Sequence, residues 1–95
     1  MDLEYRNRDS LNSEKEDFTK RVAKDLALDT DKIIIYPSEP AGIYIGRENQ
    51  EYPIIGLKND EKHVIAHELG HDRHAQVENR VWEAEAKFNS EGALI

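Results

Sequence analysis

The apolar pattern of this chain changes period twice, and this change constrains the fold more than any other feature. Phe18, Val22 and Leu26 recur at every fourth position, which predicts an amphipathic helix. Ser13 and Glu16 stand three residues apart at its start, the spacing of a capping box. The middle of the chain instead contains three short apolar runs between Pro, Gly and Asn residues, and these predict strands at residues 33–36, 43–45 and 54–57.

Helical patterns return in the last part of the chain. Asn59 is a capping signal, and residues 61–75 and 77–89 predict two further helices. Residues 1–12 show no sustained period, so we interpret them as a flexible N-terminal arm before a single domain over residues 13–95. The expected fold class is α+β, with an N-terminal helix, a three-stranded sheet and two C-terminal helices.

Composition limits both the core and the class of partner. Only 38% of the 95 residues are apolar and none is cysteine, so a thin core must be stable without disulfides, and a bound metal is one substitute. The net charge of −7 disfavours a direct nucleic-acid partner. No apolar run reaches membrane length, the polar start does not resemble a signal peptide, and the lack of cysteine is typical of a reducing compartment. We therefore expect a cytoplasmic protein without a membrane partner.

The histidines are the strongest indication of a functional site in the sequence. All four fall within residues 63–74, and two belong to the H-E-L-G-H motif. Residues four apart share one face of a helix, so His67 and His71 are predicted to hold one Zn²⁺. Glu68 would then be the general base for a zinc-activated water. The alternative is a solvated face rich in His, but the apolar segment 64–66 favours a buried helix, where imidazoles need partners.

A catalytic zinc site needs a third protein ligand, which the motif does not supply. His74 follows on the same helix, about 10.5 Å from His67 along the axis, which is too far to share one ion. The metzincin pattern also fails, because the residue six positions after His71 is Val77. The third ligand is therefore expected to be a carboxylate beyond the motif.

Three glutamates after the motif are the candidates, namely Glu78, Glu83 and Glu85. Helical spacing places Glu85 on the same face as the apolar residues 81, 82 and 88, so we expect it to point inward. Glu83 groups with polar neighbours and is the reserve candidate. The alternative for each is an ordinary surface charge.

Other side chains are candidates for positions beside the metal ligands or the substrate. His63 and His74 lie on the motif helix, and Tyr44 is one of several tyrosines that can donate to an oxyanion. For each, packing or solvent exposure is the alternative. Gly70 costs a helix about 1 kcal/mol relative to Ala, so we expect a close neighbour there. The strand at residues 43–46 is a candidate edge for binding an extended peptide.

Three segments carry a family resemblance: I-I-G-L at residues 54–57, V-I-A-H-E-L-G-H at 64–71, and E-A-E-A at 83–86. Over residues 33–90 the chain resembles the ImmA/IrrE metallopeptidases of phages, integrative elements and bacterial genomes. The resemblance implies a zincin-like domain with zinc held by His67, His71 and a Glu of the final helix, and with Glu68 as catalytic base. It also implies a protein substrate, a repressor with a helix-turn-helix domain.

These observations lead to the hypothesis of a zinc-dependent endopeptidase that cleaves a regulatory protein. The alternative is a non-catalytic, zinc-stabilised module that binds a regulator, and it is motivated by the short chain and by Lys87, where the family usually has Asn or Asp. A metal-free interaction protein is a third possibility.

Overall fold

The structure is a computed structural model that describes residues 1–7 and 10–91, with side chains described as far as residue 80. It has four strands and two helices in the order β1 (Asp2–Tyr5), α1 (Ser13–Asp25), β2 (Lys32–Pro37), β3 (Gly42–Glu48), β4 (Tyr52–Leu57) and α2 (Lys62–Glu91). The expected α+β class and the three predicted strands are confirmed. No helix within the described residues is long and apolar enough to cross a membrane.

The four strands form one mixed sheet in the order β1-β2-β4-β3. β1 and β4 pair with β2 in parallel, and β3 pairs with β4 antiparallel, so β3 is an edge strand. The expected three-stranded sheet was therefore one strand short, because β1 lies in the segment interpreted as a flexible arm. Leu3 and Tyr5 pack against the core from this strand and alternate with the polar Asp2 and Glu4. This period of two is a strand signal, but it is only four residues long and stands in an otherwise polar segment.

Both helices cover the same face of the sheet. Ile33 and Ile35 of β2 and Ile55 and Leu57 of β4 alternate along their strands, so their side chains share one face. They form a single cluster with α1 and α2, to which the helices contribute the buried residues Ala23, Val64, Ile65 and Leu69. Burial of Ile65 and Leu69 fixes which face of α2 meets the sheet and which remains open to solvent.

The helix α1 begins at Ser13 as predicted, although its cap is a different residue. The side-chain oxygen of Asn12 accepts a hydrogen bond from the backbone N–H of Lys15 at 2.9 Å. The cap is thus one residue earlier than the expected capping box of Ser13 and Glu16, and its side chain satisfies the amide of Lys15.

The two predicted C-terminal helices are one continuous helix of 30 residues, α2. Neither Gly nor Pro stands near the expected boundary at residue 76, so nothing in the local sequence ends the helix there. At 1.5 Å per residue its length is about 45 Å. The prediction of a turn between two helices was therefore wrong.

Candidate metal centre

The two histidines of the motif converge on the open face of α2. Their Nε2 atoms lie 3.0 Å apart, and the rings meet edge to face with centroids 4.6 Å apart. The side chain of His67 is 67% exposed, and His71 is also exposed, so both nitrogens can be reached from solvent. The helix period brings the rings together, as the spacing of four residues predicted.

The donor atoms match the requirements of a metal ion. In a tetrahedral site with Zn–N bonds of about 2.0–2.1 Å, the two nitrogens are separated by about 3.3 Å, only a few tenths of an ångström more than the distance here. Among the residues whose side chains are described, His67, Glu68 and His71 form the group that can hold a metal, with ligand atoms within 4.8 Å of one another. The chain therefore presents two ready imidazole ligands with a carboxylate beside them.

Glu68 is held between α2 and the edge strand β3. Its side chain is only 7% exposed, and one carboxylate oxygen lies 3.9 Å from Nε2 of His67. A Cβ added at Gly42 of β3 would lie 3.0 Å from Cγ of Glu68 and 2.5 Å from Cγ1 of Val64. Glycine at this position thus permits close packing of the strand on the helix beside Glu68.

A buried ion pair fixes α2 against β3 directly after His71. Asp72 is completely buried and accepts hydrogen bonds from Arg47 Nε at 2.9 Å and Arg47 Nη2 at 2.8 Å. The remaining guanidinium nitrogen of Arg47 donates to the backbone carbonyls of Asp29 and Glu51. The hydrogen bonds to Asp72 raise the pKa of Arg47, so the guanidinium stays charged. This geometry sets the rotation of the motif helix on the sheet.

Sequence reasoning did not identify Asp72 or Arg47. Asp72 continues the buried stripe of Ile65 and Leu69 at helical spacing, so a charge there was a signal that a partner lies opposite. Nothing in the local pattern identifies Arg47 as that partner, because the two residues are 25 positions apart.

Tyr44 of β3 lies beside His71. Its ring stacks on the His71 imidazole with centroids 6.3 Å apart. Its hydroxyl donates to Asp72 Oδ1 at 2.7 Å. Burial, together with this hydrogen bond, raises the pKa of Tyr44 above its ordinary value. The hydroxyl is therefore engaged with Asp72, and a role for Tyr44 as an oxyanion donor stays a prediction.

The remaining histidines are on the helix but outside the group. His63 is 78% exposed, with Nε2 3.4 Å from a carboxylate oxygen of Glu61. His74 is 74% exposed, and its Nε2 lies 3.2 Å from Glu78 Oε1. Both histidines therefore have surface carboxylates as neighbours. A role for either one toward a substrate stays a prediction.

The predicted third ligand depended on a turn that the structure does not contain. The side chains of Glu83 and Glu85 lie outside the described residues, but the backbone of α2 continues through both positions. A continuous helix carries them about 18 and 21 Å along the axis from His71, beyond the reach of a shared ion. Glu85, or the reserve candidate Glu83, could therefore bind the same ion as the two histidines only if α2 were interrupted between them.

Gly70 does not have the close neighbour that was expected. A Cβ added there would meet no described atom of another element within 4 Å. Packing against a neighbouring backbone therefore does not explain this glycine in the middle of the motif.

No protein-family model, curated protein or solved structure matches this chain. The ImmA/IrrE resemblance accordingly stays a prediction from the motifs.

Proposed function

We propose that this protein is a zinc-dependent endopeptidase with a zincin-like active site, held by His67 and His71 and using Glu68 as general base. The observation that supports the proposal most directly is the 3.0 Å separation of the two Nε2 atoms on an exposed helix face, with the Glu68 carboxylate beside them. Zinc, when bound there, would act as a Lewis acid that activates water and polarises a carbonyl.

The residues of this chain perform the proton transfers in this proposal. Glu68 accepts a proton from the attacking water and later delivers it to the leaving amine. Its position supports that role, because within the described residues no donor is hydrogen-bonded to the carboxylate, and Nε2 of His67 lies 3.9 Å from one of its oxygens. A base that is already saturated with donors would have little affinity for the proton.

The edge strand β3 offers a place for the substrate. Among the described strands β3 pairs with β4 alone and runs beside the motif helix, so its other edge is available to an added strand. The exposed fractions of Ile43 (42%) and Ile45 (54%) provide apolar contacts on the same strand. An extended peptide that pairs with β3 passes close to the histidine pair.

The family resemblance extends the proposal to the partner and the compartment. We propose a repressor with a helix-turn-helix domain as the substrate and the cytoplasm as the site of action, in line with the composition. The net charge of −7 supports contact with a DNA-binding protein and not with DNA.

A second candidate is a zinc-stabilised module that binds a regulator without cleaving it. The continuous helix α2 favours it, because it moves the glutamates expected to complete the catalytic site away from the histidines. The same two histidines would hold the ion, and binding would stabilise the fold.

One experiment separates the two candidates. Purified protein is loaded with zinc, its metal content is measured, and it is incubated with a proteome-derived peptide library whose cleavage products are identified by mass spectrometry. The peptidase proposal expects one zinc per chain, a set of cleaved peptides, and loss of cleavage in Glu68→Gln. Glu39→Gln is the matched control, because Glu39 is an exposed loop residue.

Stoichiometric zinc without any cleaved peptide would favour the binding module. Protein that takes up no zinc would exclude both candidates.

A further inference from the structure

The exposed face of α2 carries a second pair of metal-binding groups besides the two histidines of the motif. His74 and Glu78 stand four residues apart, and Nε2 of His74 lies 3.2 Å from Oε1 of Glu78. Their side chains are 74% and 61% exposed. The two donor atoms are thus nearly as far apart as two neighbouring ligands of a tetrahedral zinc ion, about 3.3 Å. Nothing in the proposed peptide hydrolysis uses this second pair.

The two pairs lie on one stripe of the helix. At 3.6 residues per turn, the four ligand positions fall within a sector of about 60° around the axis, at residues 67, 71, 74 and 78. All four side chains are exposed, whereas the buried Ile65 and Leu69 lie on the other side of α2. The midpoints of the two pairs are separated by seven residues, about 10.5 Å along the axis, so one ion cannot bind both pairs of the same chain.

The histidine pair lacks further ligands in its own chain. Among the described side chains, the carboxylate of Glu68 is the one other metal-binding group close to both imidazoles, and the peptidase proposal uses it as the base. Catalytic zinc sites have three protein ligands, and structural zinc sites have four. The coordination that starts with His67 and His71 is therefore incomplete within the described part of one chain.

An antiparallel second copy of α2 has the missing ligands at the matching spacing. A two-fold axis midway between residues 72 and 73 places position 67 of one copy opposite position 78 of the other, and position 71 opposite position 74. Each histidine pair then faces the His74–Glu78 pair of the other copy. Because the arrangement is two-fold symmetric, it creates two equivalent sites, about 10.5 Å apart along the helices.

The flank of the stripe is also open to a neighbouring helix. Val77 is 43% exposed, and it is the one exposed large apolar side chain among the described residues of α2. It lies on the same flank as Gly70, and the antiparallel pairing brings it within about 3 Å, along the axis, of Gly70 of the second copy. A Cβ added at Gly70 meets no described atom of another element within 4 Å. Since apolar contact on this face is small, the association is expected to depend on zinc.

We propose that His74 and Glu78 of a second copy complete the zinc coordination begun by His67 and His71, so that two zinc ions join two chains in an antiparallel dimer. The inference rests on zinc binding at the histidine pair, which both candidate functions share, and not on peptide cleavage. Four protein ligands leave no open position for water at the zinc. Peptide cleavage is therefore expected from the monomer, and it should fall as the dimer forms.

Sedimentation velocity of the full chain, without a histidine tag, tests the association. With one equivalent of zinc, the protein at about 100 µM should sediment as a dimer with one zinc per chain, and a chelator should raise the dissociation constant of the dimer about 100-fold. Protein that binds zinc and stays monomeric would overturn the inference. So would a dimer that survives the chelator.

Single substitutions test the second pair. His74→Ala and Glu78→Ala should each weaken the zinc-dependent dimer about tenfold or more, as expected for loss of a ligand. The monomer still takes up zinc through His67 and His71, so melts at concentrations where it predominates keep their zinc shift in His74→Ala. His63→Ala is the matched control, because His63 is an exposed histidine of the same helix outside both pairs. Unchanged dimerisation in His74→Ala and Glu78→Ala contradicts the inference.

A mixture of two double variants tests whether the ligands come from different chains. His67→Ala/His71→Ala keeps only the second pair, and His74→Ala/Glu78→Ala keeps only the histidine pair. Neither variant alone should dimerise with zinc. Mixed in equal amounts, they should form a heterodimer with one zinc ion, because one of the two sites regains all four ligands. A mixture that remains monomeric would show that the second pair does not complete the site.

The failure of this inference is distinguishable from the failure of the peptidase proposal. Protein that takes up zinc and stays monomeric excludes the dimer and leaves both candidate functions in place. A zinc-dependent dimer in a protein that cleaves no peptide excludes the peptidase and leaves the dimer.

Discussion

Arg47 of the edge strand binds both carboxylate oxygens of Asp72, the residue that directly follows His71 on α2. The pair is bidentate, and the Asp72 side chain is fully buried while that of Arg47 is 15% exposed. A bidentate ion pair restricts both the rotation of α2 relative to β3 and the distance between them. The position of the histidine pair relative to β3 therefore depends on a contact that neither histidine makes.

Removal of Arg47 is expected to be strongly destabilising. Arg47→Met leaves the Asp72 carboxylate buried without its cation, and the free energy of unfolding should fall by about 3 kcal/mol. Urea denaturation at pH 7 measures the change. Lys58→Met, an exposed cation on a loop, should change it by less than about 0.5 kcal/mol. Similar losses in both variants would show that the ion pair does not hold α2 on the sheet.

Two glycines near the site should respond in opposite directions to alanine. Gly42→Ala places a Cβ 2.5 Å from Val64 Cγ1, so α2 must shift and stability should fall by about 1–3 kcal/mol. Gly70→Ala meets open space and should raise stability by about 1 kcal/mol. Thermal melts of the apo proteins measure both.

A double substitution tests the cause of the Gly42 effect. Val64→Ala removes the atom nearest to the added Cβ, so adding it to Gly42→Ala should cost less than it costs alone. Strictly additive losses would indicate that the clash is not the origin of the destabilisation.

Zinc should stabilise the native protein through the histidine pair. At a free zinc concentration 100 times the dissociation constant, binding contributes about 2.7 kcal/mol, so the melting temperature should rise with zinc and return with a chelator. His67→Ala and His71→Ala should abolish the shift, while His63→Ala and His74→Ala should retain it. A zinc-dependent shift that persists in His67→Ala would place the ion elsewhere.

Tyr44 gives the protein a specific dependence on alkaline pH. Its pKa is raised in the folded state, so above a pH of about 10 the unfolded chain loses this proton while the folded chain keeps it. The stabilisation is complete below pH 10 and is lost as the pH rises toward the folded pKa. Tyr44→Phe should therefore flatten the fall in stability above pH 10, and denaturant melts between pH 8 and 11 measure it.

Tyr44→Phe also tests the assignment of the hydroxyl to Asp72. The variant keeps the ring against His71, so zinc binding and any peptide cleavage should persist, with a stability loss of about 1 kcal/mol at pH 7. Complete loss of cleavage with normal zinc binding would return Tyr44 to the role of oxyanion donor.

Local sequence patterns were sufficient to predict the features that depend on neighbours within one element. His67 and His71 converge because a helix places residues four apart on one face, and Ile33 and Ile35 face the core because a strand alternates. These periods act locally, so a pattern of a few residues suffices to predict them.

Which elements meet depends on long-range packing. β1 became a strand because Leu3 and Tyr5 find the core beside β2. Asp72 is a charge on a buried stripe of α2, but its partner Arg47 lies 25 positions away in the sequence. Such contacts form only when the chain folds back on itself. A buried charged or polar group requires a hydrogen-bond partner, but this requirement does not identify the residue that provides it.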